Sequence, residues 1–515
     1  MWFKKINMKP FSLLKKLLEK IEARTKDWPI FLVILLFLVL VLRLPSLFEP
    51  FWYGDEGIYL TLGQAIRHGQ TLYLDIHDNK PPLLYWLAAL AGSVFWLRFI
   101  LLVWMIGTVI IFFKLAQKLF RQLSVSLIST LIFVLLTSLP LFEGTITNAE
   151  HFFIGLVILG VYLFLEERWL LSGLAIGLGF LFKSPPLFDW LALLFFSFFS
   201  VLAVPLKKKK IIVWARKAFL LLLGFLIPTL AIFLLYALKK GALSFYLESA
   251  WRQNFPYLFS WGGGQGGSLF ANPLFLRGLM LLGLLGLFLA NRKKLLKVSN
   301  FLLVLIWFSL ALFGALLSSR PYPHYLLQVI APLVLLAGFL GQLFLGKINW
   351  RLVLLALLPV SFLVAAFFYY DFYTYPVAGY YRNFAQFVLG KKTWPDYLNW
   401  FDGKTYRNYQ VAGFIEDFLP PGEPIFIWGN EPNIYALSRR LPVGRYAAAY
   451  HILDFGKQEE VMSALVETPP GLVVYDFSFD RFFPELLAFL SSNQYYPIRD
   501  FDSLQVWCRF NNNKD

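Results

Sequence analysis

The sequence predicts a polytopic α-helical membrane protein that carries a soluble α/β domain at its C-terminal end. Three observations predict this class. Of the 515 residues, 58% are hydrophobic and only 15% are charged, which is too apolar for a soluble protein of this length. Apolar runs of the length that crosses a bilayer recur up to Tyr370. Beyond Tyr370 the hydropathy falls, and short β-rich runs alternate with helical patterns.

The net charge of +16 does not indicate a nucleic-acid partner. The lysines and arginines stand in short clusters between apolar runs, where they act as topology signals for a membrane protein. Nucleic acid is therefore not an expected partner, whereas membrane lipid is. Cys508 is the single cysteine, which excludes an internal disulfide framework.

The chain is predicted to begin in the cytoplasm. Residues 1–28 form a basic N-terminus that the positive-inside rule assigns to the inner side. No signal-peptidase site follows the apolar run from Pro29 to Leu47, so this run is expected to stay as the first span. About eleven spans are predicted, beginning near residues 29, 96, 124, 151, 169, 186, 211, 273, 301, 325 and 351.

An odd number of spans places the C-terminal domain outside the cytoplasm. Most basic clusters between spans fall on the inner side in this count, which supports it. Lys239 and Lys240 are the exception, so the seventh and eighth spans are the point at which one missed span would invert the rest. The predicted location is the cell membrane, with several passes.

Two connections predicted on the outer side are unusually long, residues 48–95 and 239–272. They belong to a transmembrane domain predicted over residues 29–375, and loops of this length in a compact protein are usually functional. Residues 376–515 are predicted to form the soluble α/β domain. Its predicted elements are strands at Pro424–Trp428 and Gly471–Phe477, helices at Gln458–Val466 and Phe482–Leu490, and a hairpin around Asp502 and Ser503.

The segment Trp52-Tyr53-Gly54-Asp55-Glu56-Gly57 lies just past the first span. From Ile58 to His68 the apolar and polar residues separate onto two faces, as in a helix that lies in the membrane interface. Two interpretations fit Asp55 at the start of that helix. It caps the helix by accepting backbone N–H bonds, or it acts as a general base at the lipid–water boundary. Glu56 either orients Asp55 or is solvated.

The same loop continues with Asp75-Ile76-His77-Asp78-Asn79-Lys80-Pro81-Pro82. The two prolines favour a helix start, which holds Lys80 at the helix entrance, where its ammonium suits a phosphate. The alternative is an interfacial lysine whose amine reaches water. Asp75, His77 and Asp78 are weak candidate ligands for a divalent cation, because their spacing matches no specific metal motif.

These motifs resemble the GT-C superfamily of glycosyltransferases that use polyprenyl-phosphate sugars. An Asp-Glu pair after the first span, followed in the same loop by Lys-Pro-Pro-Leu-Leu-Tyr-Trp, is similar to protein O-mannosyltransferases and lipid A aminoarabinose transferases. The resemblance covers residues 29 to about 370 in layout, with its specific motifs at 52–86 and 320–328. It implies that Asp55 is the catalytic residue and that Lys80 contacts the donor phosphate. Lipid A aminoarabinose transferases carry Glu before this lysine, where the present chain has Asn79.

The resemblance also implies a second acidic residue in the next outer loop. Glu150, in Thr145-Ile146-Thr147-Asn148-Ala149-Glu150-His151, has the fitting position, and its alternative is a cap of the helix that follows. His151 is interpreted as a packed interfacial histidine.

Further basic residues are candidates for the donor phosphate. Arg320 and His324, in Arg320-Pro321-Tyr322-Pro323-His324, resemble the family segment near the lipid phosphate. The alternative for Arg320 is an anchor to lipid headgroups. Lys183, at the outer end of the fifth span, completes the set. The glycine-rich segment 261–267 lacks the residues of a phosphate loop and is interpreted as a mobile cover.

The sequence therefore predicts a hexosyl or pentosyl transferase. It would move a sugar from polyprenyl phosphate to a hydroxyl of a glycan, lipid or protein, with Asp55 as general base and inversion of configuration. A divalent cation is the one cofactor under consideration. The alternatives are a transporter or flippase of lipid-linked glycans, and a ligase or polymerase that uses lipid-diphosphate donors. The position of the notable charges at the outer ends of spans favours the enzyme over the transporter.

Overall fold

The computed structural model describes residues 28–120, 122–202, 208–255, 273–318, 320–345 and 349–510. Residues 1–27 of the predicted basic N-terminus and the glycine-rich segment 261–267 lie outside the described residues. The chain forms two compact units. Unit 1 consists of Met1–Leu44, Leu101–Ile232 and Tyr257–Val377, and unit 2 consists of Pro45–Ile100, Phe233–Pro256 and Ala378–Asp515.

Helices dominate the chain before the C-terminal domain. In chain order they are α1 (Trp28–Phe48), α2 (Gly54–Arg67), α3 (Leu83–Ala91), α4 (Val94–Phe120), α5 (Leu123–Ser138), α6 (Ala149–Leu165), α7 (Trp169–Phe180), α8 (Pro186–Leu202), α9 (Lys208–Leu238), α10 (Ala242–Leu247), α11 (Pro273–Ala290), α12 (Arg292–Leu295), α13 (Ser299–Ala315), α14 (Leu327–Leu345) and α15 (Trp350–Tyr369). A π-helical turn, Glu248–Arg252, follows α10, and 3₁₀ turns occur at Pro140–Phe142, Leu296–Val298 and Pro323–Leu326.

The apolar helices match the predicted spans one for one. Within the described ranges, six helical segments are long and apolar enough to cross a membrane, and they contain α1, α4, α9, α13, α14 and α15. Five shorter apolar helices, α5, α6, α7, α8 and α11, complete the eleven predicted positions. The prediction of a polytopic α-helical membrane protein is confirmed.

In unit 1, α7 and α9 pack through glycines. A Cβ at Gly173 or Gly177 of α7 would overlap the backbone of α9 at Leu221 or Phe225, and a Cβ at Gly224 of α9 would overlap the backbone of α7. The two glycines of α7 are four residues apart, the spacing that lets helix backbones approach closely inside a membrane. The sequence thus encodes this contact through small residues.

The centre of unit 1 is α13, which is apolar on all sides and buried over most of its length. Its Trp307 indole donates a hydrogen bond to Asp189 of α8 at 2.6 Å. The amide of Gln328, in α14, donates to the other carboxylate oxygen of Asp189 at 2.7 Å. The buried carboxylate is therefore paired, as an acidic residue inside an apolar bundle must be.

In unit 2, the C-terminal residues form a mixed α/β domain. Its helices are α16 (Val377–Val388), α17 (Trp394–Asp402), α18 (Thr405–Phe418), α19 (Asn433–Leu437), α20 (Ala449–Asp454), α21 (Gln458–Glu467) and α22 (Pro484–Ser492). Its strands are β1 (Phe426–Trp428), β2 (Leu472–Asp476), β3 (Tyr495–Phe501) and β4 (Leu504–Arg509). Both predicted strands, both predicted helices and the predicted hairpin are present, which confirms the C-terminal α/β prediction.

The sheet has the strand order β1-β2-β4-β3. Strands β1 and β2 are parallel, whereas β4 is antiparallel to both β2 and β3. Asp502 enables the tight β3–β4 turn because it adopts a left-handed φ of 48°, which Asp tolerates better than most residues. The predicted domain limits, 29–375 and 376–515, stay a prediction.

The helix predicted from Ile58 to His68 corresponds to α2, which begins four residues earlier at Gly54. Its polar face differs from the expectation, because Thr61 and Gln64 are buried. The Thr61 hydroxyl lies 3.3 Å from the carbonyl oxygen of Pro432 in the C-terminal domain. Protein therefore covers Thr61 and Gln64 of the predicted polar face, whereas Arg67 at the end of that face is exposed.

Candidate active site

Asp55 and Lys80 come together in unit 2, with Lys80 Nζ 3.6 Å from Asp55 Oδ2. Because α2 begins at Gly54 with Tyr53 as its N-cap residue, Asp55 lies in the first helical turn and is not itself the N-cap. One turn later, the Tyr59 hydroxyl donates a hydrogen bond to Asp55 Oδ2 at 2.8 Å. The side chains of Asp55 and Lys80 are 28% and 15% exposed. An acid and a cation are thus fixed side by side while both still reach the surface.

The backbone of Lys80 is held on both sides. Its carbonyl oxygen accepts a hydrogen bond from the Tyr73 hydroxyl at 2.7 Å, and its N–H donates to the Tyr85 hydroxyl at 3.3 Å. Helix α3 begins directly after Pro82, as the two prolines predict. The ammonium lies 5.0 Å from the centre of the Tyr59 ring, a cation–π distance. Lys80 is therefore positioned at the entrance of α3.

The weak metal candidates do not form a cluster. Asp75 is exposed, and its Oδ2 accepts a hydrogen bond from the Thr71 backbone at 2.6 Å. His77 and Asp78 are buried, and Asp78 Oδ2 lies 3.8 Å from Lys80 Nζ. Across the described ranges, no group of three or more His, Cys, Asp or Glu side chains is arranged to hold a metal ion.

Sequence reasoning missed Arg98, which organises the segment before Asp55. Its guanidinium donates two hydrogen bonds to Glu56, at 2.6 and 3.2 Å. It also donates to the backbone carbonyl oxygens of Ser46 at 3.1 Å, Glu49 at 2.7 Å and Pro50 at 3.3 Å. Glu56 has no exposed surface, so the alternative of a solvated Glu56 is wrong. An arginine in an apolar run is the signal that predicts a buried partner.

Glu49 completes this buried network. Arg98 lies 4.0 Å from Glu49 Oε1, and the Trp52 indole donates to the same oxygen at 2.5 Å. The Tyr380 hydroxyl donates to Glu49 Oε2 at 2.7 Å. Burial raises the pKa of Glu49, and Arg98 and these two donors oppose that shift. The network ties the turn between α1 and α2 to α16 of the C-terminal domain.

The other predicted site residues lie in unit 1. Glu150, in the first turn of α6, pairs with Lys183, whose Nζ lies 2.5 Å from Glu150 Oε1. The Lys183 ammonium also lies 4.1 Å from the centre of the Tyr325 ring. Lys183 follows α7, and α6 and α7 are consecutive helices joined by a short turn. The structure thus pairs two residues to which the sequence assigned separate roles.

Glu143 is a second residue that sequence reasoning missed. It is buried, and its Oε2 lies 2.6 Å from His324 Nδ1 and 2.7 Å from the Asn148 amide, which donates to it. Glu143 ends the 3₁₀ turn Pro140–Phe142 with a left-handed φ of 58°. Arg320, four residues before His324, is partly buried. The sequence predicts Glu150 as the second acidic residue of this outer loop. Glu143 is another acidic residue of the same loop.

The fold of this chain matches that of solved structures. It is similar to ArnT from Cupriavidus metallidurans bound to undecaprenyl phosphate, with a TM-score of 0.54, 15% identity, and coverage of 93% of this chain and 98% of that chain. The apo state of the same ArnT gives a TM-score of 0.56 and 14% identity, with 94% and 98% covered. No protein-family model matches the chain, and no curated protein matches it significantly.

Two buried histidines make unit 2 sensitive to acid. Burial lowers the pKa of both His77 and His451 below the ordinary value of 6.5. The charged and titratable groups that act on His77 are His451, Arg445 and Lys457. Those that act on His451 are Asp78, Lys80, Asp55 and Asp454. The unfolded chain therefore binds protons near pH 6.5 while the folded chain does not. The free energy of unfolding is expected to fall as the pH drops through this value.

The measurement is the thermal unfolding midpoint of the protein in detergent at about pH 7.5 and about pH 5.5. A variant with both His77→Asn and His451→Asn should lose less stability on acidification than the wild type. Equal losses in the two proteins would contradict the assignment of neutral histidines. The raised pKa of Glu49 changes the free energy of unfolding in the opposite direction on acidification. Glu49 is present in both proteins, so its contribution cancels in the comparison.

Proposed function

We propose that the protein is a glycosyltransferase that moves a sugar from a polyprenyl-phosphate donor to a hydroxyl acceptor at the outer face of the membrane. The observation that carries the proposal is the 3.6 Å contact between Asp55 and Lys80. A carboxylate suited to take a proton lies beside an ammonium suited to bind phosphate. The GT-C fold, and the undecaprenyl phosphate bound to a protein of similar fold, support this donor class.

The proposed reaction is a single displacement. Asp55 takes the proton of the acceptor hydroxyl, and the oxygen of that hydroxyl attacks the anomeric carbon from the face opposite the phosphate. The new C–O bond forms as the bond between the anomeric carbon and the phosphate oxygen breaks, and the electron pair leaves with the phosphate. Lys80 stabilises the negative charge that develops there. The configuration at the anomeric carbon inverts, and the sugar is a hexose or a pentose.

Arg320, His324 and Lys183 remain proposed contributors to donor-phosphate binding, and Glu150 remains a proposed second acid. Lys183 already pairs with Glu150, and His324 with Glu143, at hydrogen-bonding distance. A phosphate that binds these cations must share them with the carboxylates, which reduces the gain in free energy. Lys80 lies farther from its carboxylates, 3.6 Å from Asp55 and 3.8 Å from Asp78, and we therefore rank it above Lys183 and His324 as the phosphate contact.

The proposed orientation follows from charge. The basic N-terminus lies in the cytoplasm, and the loop that carries Asp55 and Lys80 lies outside together with the C-terminal domain. Lipid-linked donors present their sugars on that side without nucleotides. Protease protection of tagged termini in sealed vesicles tests this arrangement, and a protected C-terminal tag in right-side-out vesicles contradicts it.

The donor is tested by sugar transfer in liposomes from a panel of polyprenyl-phosphate sugars, with polyprenyl-diphosphate sugars in parallel. Lys80→Ala is expected to weaken binding of undecaprenyl phosphate by roughly tenfold or more, because it removes a charge-assisted contact. Lys240→Ala, at an exposed position, is the matched control and should bind like the wild type. Transfer from diphosphate donors alone favours the ligase, and translocation without transfer favours the transporter.

A further inference from the structure

One segment of the C-terminal domain, residues 430–451, packs on the loop that carries Asp55 and Lys80. The Asn433 amide donates a hydrogen bond to the carbonyl oxygen of Phe51 at 3.1 Å, and the backbone N–H of His77 donates to the carbonyl oxygen of Arg445 at 2.8 Å. The approach is close, since a Cβ at Gly57 would overlap Asn433. All of these residues belong to unit 2.

Two residues of this segment contact the neighbours of Lys80: Arg445 contacts Tyr73, and His451 contacts Asp78. The Arg445 guanidinium donates to the carbonyl oxygen of Tyr73 at 2.5 Å, and the Tyr73 hydroxyl in turn donates to the carbonyl oxygen of Lys80. His451 Nε2 lies 3.4 Å from Asp78 Oδ1, while Asp78 Oδ2 lies 3.8 Å from Lys80 Nζ. Asp78 is thus bracketed by His451 on one side and Lys80 on the other.

We propose that the C-terminal domain is a working part of the Asp55–Lys80 site and that His451 is a positioning residue, which holds Asp78 so that the Lys80 ammonium stays available to a phosphate. This inference rests on the proposed function. Asp78 has no exposed side-chain surface and His451 is 3% exposed, so neither is solvated by bulk water. A buried carboxylate needs polar partners. The backbone N–H of Asn79 donates to Asp78 Oδ1 at 2.6 Å, and two basic side chains lie beside Asp78, His451 at 3.4 Å and Lys80 at 3.8 Å. If His451 is removed, Lys80 is the nearest charge left to act as a partner.

The consequence is a competition for one ammonium. In the wild type, His451 Nε2 lies 3.4 Å from Asp78 Oδ1, and the Lys80 ammonium lies between Asp78, at 3.8 Å, and Asp55, at 3.6 Å. Without His451, the ammonium is drawn towards Asp78 and away from a bound phosphate. Burial lowers the pKa of His451, which is consistent with a neutral imidazole that lies beside Asp78 without adding a charge.

The experiment compares three variants with the wild type. His451→Leu removes the polar contact at similar size, His451→Asn keeps a donor, and His68→Gln changes an exposed histidine of the same unit as a control. Two quantities are measured: binding of undecaprenyl phosphate in nanodiscs, and the rate at which an amine reagent labels Lys80, followed by mass spectrometry. The second does not depend on the proposed activity.

His451→Leu is expected to weaken undecaprenyl phosphate binding by about tenfold and to slow Lys80 labelling. His451→Asn should recover most of both, and His68→Gln should match the wild type. Unchanged or faster Lys80 labelling in His451→Leu overturns the inference. Should His451→Leu fail to fold, His451→Ala takes its place. Adding Asp78→Asn to His451→Ala should then abolish the effect of position 451 on Lys80 labelling, and an effect that persists overturns the inference.

The two proposals fail differently. A wild type that does not bind undecaprenyl phosphate overturns the proposed donor. Slower labelling in His451→Leu would still establish His451 as the residue that positions Lys80. A wild type that binds the lipid, with equal binding and labelling in His451→Leu, overturns the inference alone.

Discussion

Asp55→Asn is expected to lower the rate of sugar transfer by at least about 10²-fold, because an amide cannot take the proton of the acceptor hydroxyl. The change preserves shape, and the amide oxygen still accepts the hydrogen bond that Tyr59 donates. Donor binding should be at least as tight as in the wild type, since the substitution removes a negative charge 3.6 Å from Lys80. The measurement is the initial transfer rate in proteoliposomes, with donor binding determined separately.

The matched control for this prediction is Asp75→Asn. Asp75 lies in the same loop, but it is exposed, and its Oδ2 accepts a hydrogen bond from the backbone N–H of Thr71. It should transfer at close to the wild-type rate. An Asp55→Asn protein that transfers sugar as fast as the wild type removes the proposed base. Slow transfer together with lost donor binding would instead assign Asp55 to the donor site.

The sequence was sufficient for the features that depend on local composition. The spans follow from the length of apolar runs, and the Asp55–Lys80 contact joins two motifs of one loop that are 25 positions apart. Partners from distant segments were not predictable in this way. Arg98 reaches Glu56 across 42 positions, and His451 reaches Asp78 from the C-terminal domain. A charge in an apolar run indicates that a partner exists, but the identity of the partner depends on tertiary packing.

The Glu150–Lys183 pair is a case in which more could have been predicted. Two consecutive helices joined by a short turn are usually antiparallel, so the start of α6 and the end of α7 lie at the same end of the pair. Glu150 lies in the first turn of α6, and Lys183 follows the end of α7. Helix topology alone therefore brings an acid and a base together. Glu143, by contrast, lies in an irregular turn whose path carries no periodic signal.

Arg98→Met is expected to destabilise the protein by about 3–5 kcal/mol, because it leaves buried carboxylates without their cation. The guanidinium is 1% exposed and pairs with Glu56, which is fully buried, while Glu49 lies 4.0 Å away. Three backbone carbonyl oxygens between α1 and α2 lose a donor as well. Methionine fills a similar volume, so the loss reports on charge and hydrogen bonding more than on a cavity. The measurement is the unfolding midpoint in detergent.

Two further variants separate the buried ion pair from a general effect of losing an arginine. Arg252→Met removes an arginine whose side chain is 74% exposed in the same unit, and it should unfold like the wild type. Adding Glu56→Gln to Arg98→Met should recover part of the lost stability, since a neutral amide is cheaper to bury than an unpaired carboxylate. Equal stability of Arg98→Met and the wild type would mean that Glu56 finds another partner. In that case Arg98 would not be what holds the first turn of α2, and with it Asp55, in place.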